Sequence, residues 1–408
     1  MRHTWRMTNF SRQQPDAFAE PAPKQRTSSI IALNAVSTLA QIGQFGLGAT
    51  LLPIALEARH VSPIIIGATS AAYWLGMLFG LLVAGKLTRQ FGYHNTVVAG
   101  LIISALSFLL MPLMDWHWWS IPAAVVGFGL GLRWIANETW LYRLAPEDAR
   151  GRIVGIHETL ICTASFIGPL IVAAFGAVQP TAFWIAAASS LVATIPIYFA
   201  IQLPAVSKAS VSKQSKSNSN HFFRLIAALI SSIGLGAIIA GIGGWLEGSL
   251  LALLPVYGSS VGLSITDAAL LLTVMGVGAM AFQFPIGWLA DHRGVLWTAR
   301  LGVVIAALDV ILALSFESTI YILAIVAFIL GGLTSGFLTL GMIWAAQHGT
   351  GAALTSKVRQ VSIVYTTLSA AGPFVAGFVV SHTSSQSLFW QQLAVIFVLA
   401  IVLFKHKE

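Results

Sequence analysis

The chain has 408 residues, of which 57% are hydrophobic and only 9% are charged, and its mean hydropathy is +0.82. This composition leaves too little polar surface to cover a water-soluble globule. The formal net charge of +8 does not indicate nucleic-acid binding, because long apolar runs separate the basic residues and no single soluble face collects them.

The chain has one cysteine, Cys162, which excludes an intramolecular disulfide. HETLI (residues 157–161) lacks the second histidine of a zinc-protease motif, so no metal or other cofactor is expected.

Apolar runs of about eighteen residues or more recur along the chain, and each is long enough to cross roughly 30 Å of hydrocarbon as a helix. The alternating polarity that transmembrane β-strands require is absent. The sequence therefore predicts an all-α polytopic membrane protein with twelve transmembrane helices. In chain order they span residues 28–58, 64–84, 96–114, 119–141, 153–177, 182–201, 223–257, 268–289, 296–316, 320–346, 361–380 and 388–404.

Segments outside the helices add three local predictions. Residues 1–27 are polar and have no small-residue cleavage site after an apolar region, which predicts a soluble tail rather than a signal peptide. Ser264 and Asp267 have the spacing of a capping box at the start of the eighth helix. Trp116, Trp118 and Trp119 precede the fourth helix, where indole rings favour the headgroup region, so we expect them to be interfacial anchors.

The distribution of basic residues predicts the orientation. Lys and Arg in short loops stay on the cytoplasmic side of a membrane. If the amino terminus is cytoplasmic, every Lys and Arg except Arg59 and Arg133 falls on that side. The sequence therefore predicts a multi-pass protein of the plasma membrane, the inner membrane of a bacterium, with both termini in the cytoplasm.

The two halves of the chain resemble each other. A gapless shift of 202 residues superposes many identical residues, mostly glycine and proline. The repeat predicts two six-helix bundles, residues 28–203 and 223–408, related by a pseudo-twofold axis normal to the membrane. The Ser- and Lys-rich residues 204–222 are then a cytoplasmic linker. The matched pairs include Pro53 and Pro255, Gly76 and Gly278, Gly85 and Gly287, Gly92 and Gly294, and Gly100 and Gly302.

One repeated turn carries a family resemblance. GKLTRQFG (residues 85–92) and GWLADHRG (residues 287–294) occupy the same place in each half. The second copy matches the Gly-x-Leu-x-Asp-x-x-Gly signature of the major facilitator superfamily, whereas the first has Arg89 in place of the aspartate. Gly168-Pro169 and Gly372-Pro373 in the fifth and eleventh helices also resemble this superfamily, and PEDARGR (residues 146–152) is similar to its bacterial efflux-type branches. The resemblance implies a twelve-helix transporter that works by alternating access.

The repeated turn also predicts a gate. By the twofold relation, Asp291 is expected to face Arg150 and Arg152 at the start of the fifth helix, whereas Arg89 faces Lys357 and Arg359 and is repelled. We therefore predict an asymmetric cytoplasmic gate that Asp291 latches, with a solvated loop anchor as the alternative. The predicted gating residues are Gly85, Arg89, Gly92, Gly287, Asp291, Gly294, Arg150 and Arg152.

Ionisable residues inside the helices are candidates for proton coupling, because a charge in hydrocarbon is costly unless it faces a cavity or a partner. Glu138 and Glu158 are expected at similar depth in the fourth and fifth helices, near Arg133, whose position resembles a coupling arginine of efflux-type relatives. A purely structural ion pair between Arg133 and one glutamate is the alternative. Glu247 breaks the repeat and either binds solute or extends toward the outer interface. Asp309 has no predicted role.

The resemblance implies that the first, fourth, seventh and tenth helices surround the path. Each polar side chain on these helices either contacts solute or joins two helices. As a set they describe a cavity with few fixed charges, suited to a neutral, cationic or aromatic solute rather than a polyphosphate. The predicted solute-binding residues are Asn34, Gln41, Gln44, Asn137, Trp245, Glu247, Thr334, Ser335 and Trp344.

The sequence thus predicts a monomeric secondary transporter that exports a small organic molecule in exchange for protons. No Gly-rich nucleotide-binding loop is present, which argues against ATP as the energy source. Two alternatives stay open: uptake of a sugar or another organic solute by symport, and a membrane-embedded enzyme or lipid-handling protein on the same scaffold. The enzyme alternative requires a nucleophile with a base or a metal cluster, and neither is evident.

Overall fold

A computed structural model describes residues 23–146, 149–202, 234–316, 319–348 and 351–406. Nine helical stretches in these ranges are long and apolar enough to cross a membrane. One of them, Pro63–Leu113, is 51 residues long and reverses at Gly92, so it contains two crossings. With the helix Ser120–Leu144 and the shorter helix Thr181–Val192, the described residues give the twelve crossings of an all-α membrane protein.

The helices are numbered by crossing. The predicted tail and linker lie mostly outside the described residues, as does the start of the predicted seventh helix. The elements are α1, made of Pro23–Gln41, the π-helical turn Ile42–Leu47 and Leu51–Glu57; α2 and α3, the two arms of Pro63–Leu110; α4 Ser120–Leu144; α5 Arg150–Phe175; α6 Thr181–Val192, followed by Thr194–Ile197; α7 Leu235–Ser260; α8 Ile265–Arg293; α9 Val295–Ser315; α10 Ile320–Gln347; α11 Gly351–His382; and α12 Ser387–Lys405.

The two glycine turns have the same backbone geometry. Gly92, between α2 and α3, has φ 83° and ψ 167°. Gly294, between α8 and α9, has φ 85° and ψ 154°. A side chain is strained at such positive φ values, so glycine is required where each helix reverses. The turns lie on one side of the molecule, which we call the basic face; the side at which α1 ends is the opposite face.

The internal repeat extends to helix packing. Gly76 lies against the carbonyl of Ala124, and Gly278 lies against that of Phe328, so α2 meets α4 as α8 meets α10. Gly127 and Gly331 make the reciprocal contacts with Tyr73 and Met275. Small residues allow such close backbone approach, which is the main source of packing where the solvent is lipid.

The local predictions had two outcomes. The capping box is confirmed: the Asp267 N–H donates to Ser264 Oγ at 3.1 Å, and the Ser264 N–H donates to Asp267 Oδ2 at 3.1 Å. The anchor prediction is wrong for Trp119, which is 2% exposed and donates from Nε1 to the Met111 carbonyl at 2.9 Å. Trp118 is exposed, as an anchor requires.

Candidate functional site

The two bundles meet through α2 with α11 and α5 with α8, pairs that the pseudo-twofold axis exchanges. α1 contacts α7 and α8 through its last segment, Leu51–Glu57. At the opposite face the Ile64 N–H donates to Ser381 Oγ at 2.8 Å, and the Ser259 hydroxyl donates to the Glu57 carboxylate. These contacts join the two bundles at the opposite face.

Arg133 lies at the centre of a network between α4 and α1. The side chain is 1% exposed. Its Nε donates to Gln44 Oε1 at 2.9 Å, and its Nη2 donates to Gln41 Oε1 at 2.5 Å. Gln44 lies in the π-helical turn of α1 and donates in turn to Ser104 Oγ at 2.8 Å. The π-helical turn thus aims the amide oxygen of Gln44 at the arginine, beside that of Gln41 just before the turn, and such turns are often found at functional sites.

Glu138 of α4 and Glu158 of α5 are close enough to interact electrostatically, and their role in proton coupling stays a prediction. The Glu138 carboxylate accepts from Trp134 Nε1 and interacts electrostatically with Glu158 and Arg133. Glu158 is exposed, although it lies about two turns inside α5. Arg133 makes its described hydrogen bonds with glutamines, and no ion pair with Glu138 or Glu158 is present, so the structural ion-pair alternative is not formed in this conformation.

Both predicted solute-binding asparagines join helices in this conformation, which is the alternative that the sequence left open for each polar residue. Asn34 Oδ1 is 2.9 Å from Nδ1 of His157, which connects α1 to α5. Asn137 Nδ2 donates to Ser37 Oγ at 2.7 Å, which connects α4 to α1. Both asparagines are buried. His157 was not a predicted site residue, although a buried histidine in an apolar helix is itself a signal of a polar partner.

Glu247 has a partner that the sequence did not suggest. The Tyr365 hydroxyl of α11 donates to its carboxylate, and the Tyr365 ring meets Trp74 of α2 edge to face at 6.1 Å. This aromatic contact crosses between the bundles. The Cys162 thiol of α5 is half-buried and interacts electrostatically with both Glu158 and Glu247. One carboxylate from each bundle therefore lies within electrostatic range of Cys162.

The predicted solute-binding residues of α10 have other contacts. Ser335 accepts from Gln283 Nε2 of α8 at 2.6 Å, and Thr334 donates to a carbonyl of its own helix. Trp344 stacks on His348 at 4.0 Å near the basic face.

Trp245 on α7 is partly buried, and its Nε1 has no hydrogen-bond partner among the described residues, so a donor is free there.

The gating residues stay a prediction. Of their side chains at the basic face, Asp291, Arg89 and Arg152 are exposed, and no hydrogen bond or ion pair joins Asp291 to another described side chain. The side chain of Arg150 lies outside the described set. Lys357 donates from Nζ to the His348 carbonyl at 2.5 Å, within its own bundle.

Two related bundles, joined at one face and enclosing buried polar groups from both halves, define a membrane transporter. The model of the Major Facilitator Superfamily matches this chain twice, over residues 33–264 and 233–408, and the chain belongs to this family. The class and the twelve-helix fold expected from the sequence are therefore confirmed.

Relatives and solved structures agree with this assignment. The uncharacterized MFS-type transporter YcaD of Escherichia fergusonii is 25% identical over 359 residues, covering 88% of this chain and 90% of that protein. YcaD of Shigella flexneri is 25% identical over 363 residues with the same coverage. The crystal structure of the nucleoside transporter NupG has a TM-score of 0.72 at 15% identity, over 93% of this chain and 99% of its own. A D-xylose-proton symporter has a TM-score of 0.67 at 14% identity, over 92% and 98%. At these identities the solved structures show a shared fold alone.

Proposed function

We propose that this protein exports a small organic solute in exchange for protons, by alternating access around the region between Glu138, Glu158 and Glu247. The observation that carries the proposal is that carboxyl groups of both bundles lie within electrostatic range of shared neighbours: Glu138 interacts with Glu158, and Glu158 and Glu247 both act on Cys162. A membrane interior holds such groups at a cost, so their proximity indicates a functional site.

The side chains around the site favour a cationic solute with an aromatic part. Glu247 lies beside Tyr365 and close to Trp74, which gives a carboxylate next to aromatic faces that attract cations. Arg133 keeps its positive charge, but it is 1% exposed and directs Nη2 and Nε at Gln41 and Gln44, so little of it is accessible to an anionic solute. One buried cation in this set is a poor match for a polyphosphate.

Exchange follows from competition. A carboxyl group that holds a proton cannot pair with a cation, and the reverse is also true. If the solute and the proton use the same carboxyl groups, binding of one releases the other. With the proton gradient directed inward, this exchange moves the solute out of the cell. A symporter, such as an uptake system for sugars, must instead hold both at once.

The gate and the orientation complete the proposal. We place the basic face in the cytoplasm, with both termini there, in the bacterial inner membrane. Asp291 latches that face when the opposite face opens, and its exposure in the present conformation, without a partner among the described side chains, fits an open latch. One chain supplies both bundles of the path, so a monomer is the working unit.

The decisive experiment is transport in proteoliposomes with an imposed pH gradient. A panel of cationic aromatic solutes is offered to the parent protein and to Glu138→Gln, Glu158→Gln and Glu247→Gln. The proposal requires that an acidic vesicle lumen drives accumulation of externally added solute in the lumen. It also requires that at least one variant uncouples accumulation from the pH gradient, and that adding the solute to the protein releases protons into a weakly buffered solution. Equal transport without a gradient by all four proteins contradicts proton coupling.

Two further results separate the alternatives. Uptake of protons on solute binding supports symport instead of exchange. Chemical change of a solute without net movement supports the enzyme alternative. Cys162 is the single thiol, so the rate of its labelling by a maleimide reports directly whether a solute occupies the site.

A further inference from the structure

A groove runs along the outer surface of the second bundle, between α9 and α12. Its volume is about 580 Å³. Every residue that lines it is apolar, and several of the larger ones, including Phe397 and Leu308, are more than half exposed. The lining includes Val304, Ala307 and Ile311 from α9 and Leu393, Ala394 and Phe397 from α12.

The groove begins at the basic face. Arg300 of α9 donates from Nε and Nη2 to the Leu403 carbonyl, at 3.2 and 3.1 Å, which sets these two residues at the same depth. From Leu403 to Trp390, at the far end of the groove, α12 rises about 20 Å. One leaflet of a bilayer contributes about 15 Å of hydrocarbon. The groove is therefore long enough for one extended acyl chain and reaches slightly beyond the bilayer midplane.

The end at the basic face is cationic. The Arg300 guanidinium lies over the Phe404 ring at 5.6 Å, and Phe404 is the last lining residue of the groove. Lys405 follows directly and is exposed. Arg293, the last residue of α8, lies over the Trp297 ring at 5.6 Å, and Trp297 is about one turn before Arg300 on α9. In the described part of this end of the second bundle, Asp291 is the single acidic side chain.

We propose that this groove binds one anionic phospholipid, with an acyl chain along α9 and α12 and its headgroup at Arg300 and Lys405. The charge is what selects the lipid: apolar packing alone does not distinguish one lipid from its neighbours, because lipid tails are as apolar as leucine. The headgroup of an anionic lipid is attracted by each nearby Lys or Arg. The first bundle offers a comparison, since the residue equivalent to Arg300 under the 202-residue shift is Val98.

A second copy of the chain is a poorer occupant. Close helix association in lipid needs small residues at the contact. Here Trp390, Phe397 and Phe404 are more than half exposed along the groove and hold another helix away. A flexible acyl chain fits between such side chains.

The test compares lipids and groove variants of the purified full-length protein in detergent. Dioleoylphosphatidylglycerol is the anionic probe, dioleoylphosphatidylcholine the zwitterionic one and glycerol phosphate the headgroup alone. Ala394→Phe fills the groove at an exposed position, and Ala188→Phe makes the same change on the exposed side of α6, the counterpart of α12. Lys405→Gln removes one headgroup charge.

The anionic lipid is expected to raise the melting temperature of the parent and of Ala188→Phe, and to bind Ala394→Phe and Lys405→Gln about tenfold more weakly. Equal shifts with both lipids, or with glycerol phosphate alone, overturn the proposal. The proposal is also overturned if Ala394→Phe and Ala188→Phe bind the anionic lipid equally well. A dimer of the parent that only Ala394→Phe disrupts overturns it too. If Ala394→Phe fails to fold, a phosphatidylglycerol with a diazirine on its acyl chain is crosslinked to the parent. Labelling outside α9 and α12 then contradicts the assignment.

Discussion

The hydrogen bonds of Gln44 give the sharpest test of the network around Arg133. Gln44→Leu keeps the size of the side chain but removes its bond to Arg133 Nε at 2.9 Å, its bond to Ser104 Oγ at 2.8 Å and its longer bond to the Gly100 carbonyl at 3.2 Å. Gln41→Leu is the matched control, because Gln41 lies on the same helix and has a single described bond to the arginine.

The expected magnitude follows from this difference. Hydrogen bonds between membrane helices are worth about 0.6 kcal/mol on average, and at most about 1.7 kcal/mol. Three lost bonds, one of them to a buried cation, then cost about 2 to 3 kcal/mol in the free energy of unfolding. The single bond of Gln41 costs roughly 1 kcal/mol by the same measure. Gln44 is also fully buried, whereas Gln41 is partly exposed and water replaces part of its loss.

The assay is thermal or steric-trap unfolding of both variants in the same detergent, with the parent protein alongside. Gln44→Leu should be the less stable variant by at least about 1 kcal/mol. Equal stability of the two variants, or a lower stability of Gln41→Leu, would refute the inference that the hydrogen bonds of Gln44 stabilise the protein more than the single bond of Gln41.

Three more changes test the packing, the site and the gate. Gly168→Ala should destabilise the protein by about 1 to 3 kcal/mol, because a Cβ there meets the backbone of α1. On the same helix, the Cβ of Gly155→Ala meets nothing within 4 Å, so that variant should be neutral or stabilised by up to about 1 kcal/mol. Unfolding measurements that give both changes in stability the same sign contradict this packing. Tyr365→Phe removes the donor to Glu247 and should raise the KM of a cationic solute about tenfold in proteoliposomes; a lower kcat at constant KM would assign Tyr365 to the conformational cycle. Asp291→Asn should shift the population away from the state closed at the basic face, as spin-label distances across that face would report, and unchanged distances and transport would support the loop-anchor alternative.

The crossings and the repeat were readable from the sequence because they depend on features that need no side-chain geometry. Hydropathy and charge gave the helices, and the shift of 202 residues matched glycines such as Gly76 and Gly278, whose backbone contacts now prove equivalent. The two turns ending at Gly92 and Gly294 likewise have nearly identical dihedral angles.

The partners of the buried polar residues were less predictable. In a soluble helix the apolar stripe fixes which face points inward, but a transmembrane helix is apolar on most sides, so its rotation cannot be read from periodicity. This is why the sequence placed Arg133 beside a glutamate, while the structure gives it Gln41 and Gln44. Tyr365 was missed for the same reason. The π-helical turn adds a further rotation that a regular helix does not have.

The carbonyl contacts of Gly76, Gly127, Gly278 and Gly331 also limit how such a protein can diversify. Each is a point where two backbones touch, so no side chain of any chemistry can be accommodated there without spreading the helices. New solute preferences must therefore arise from the residues that line the interior, while the frame of each bundle stays as it was when the ancestral half was duplicated.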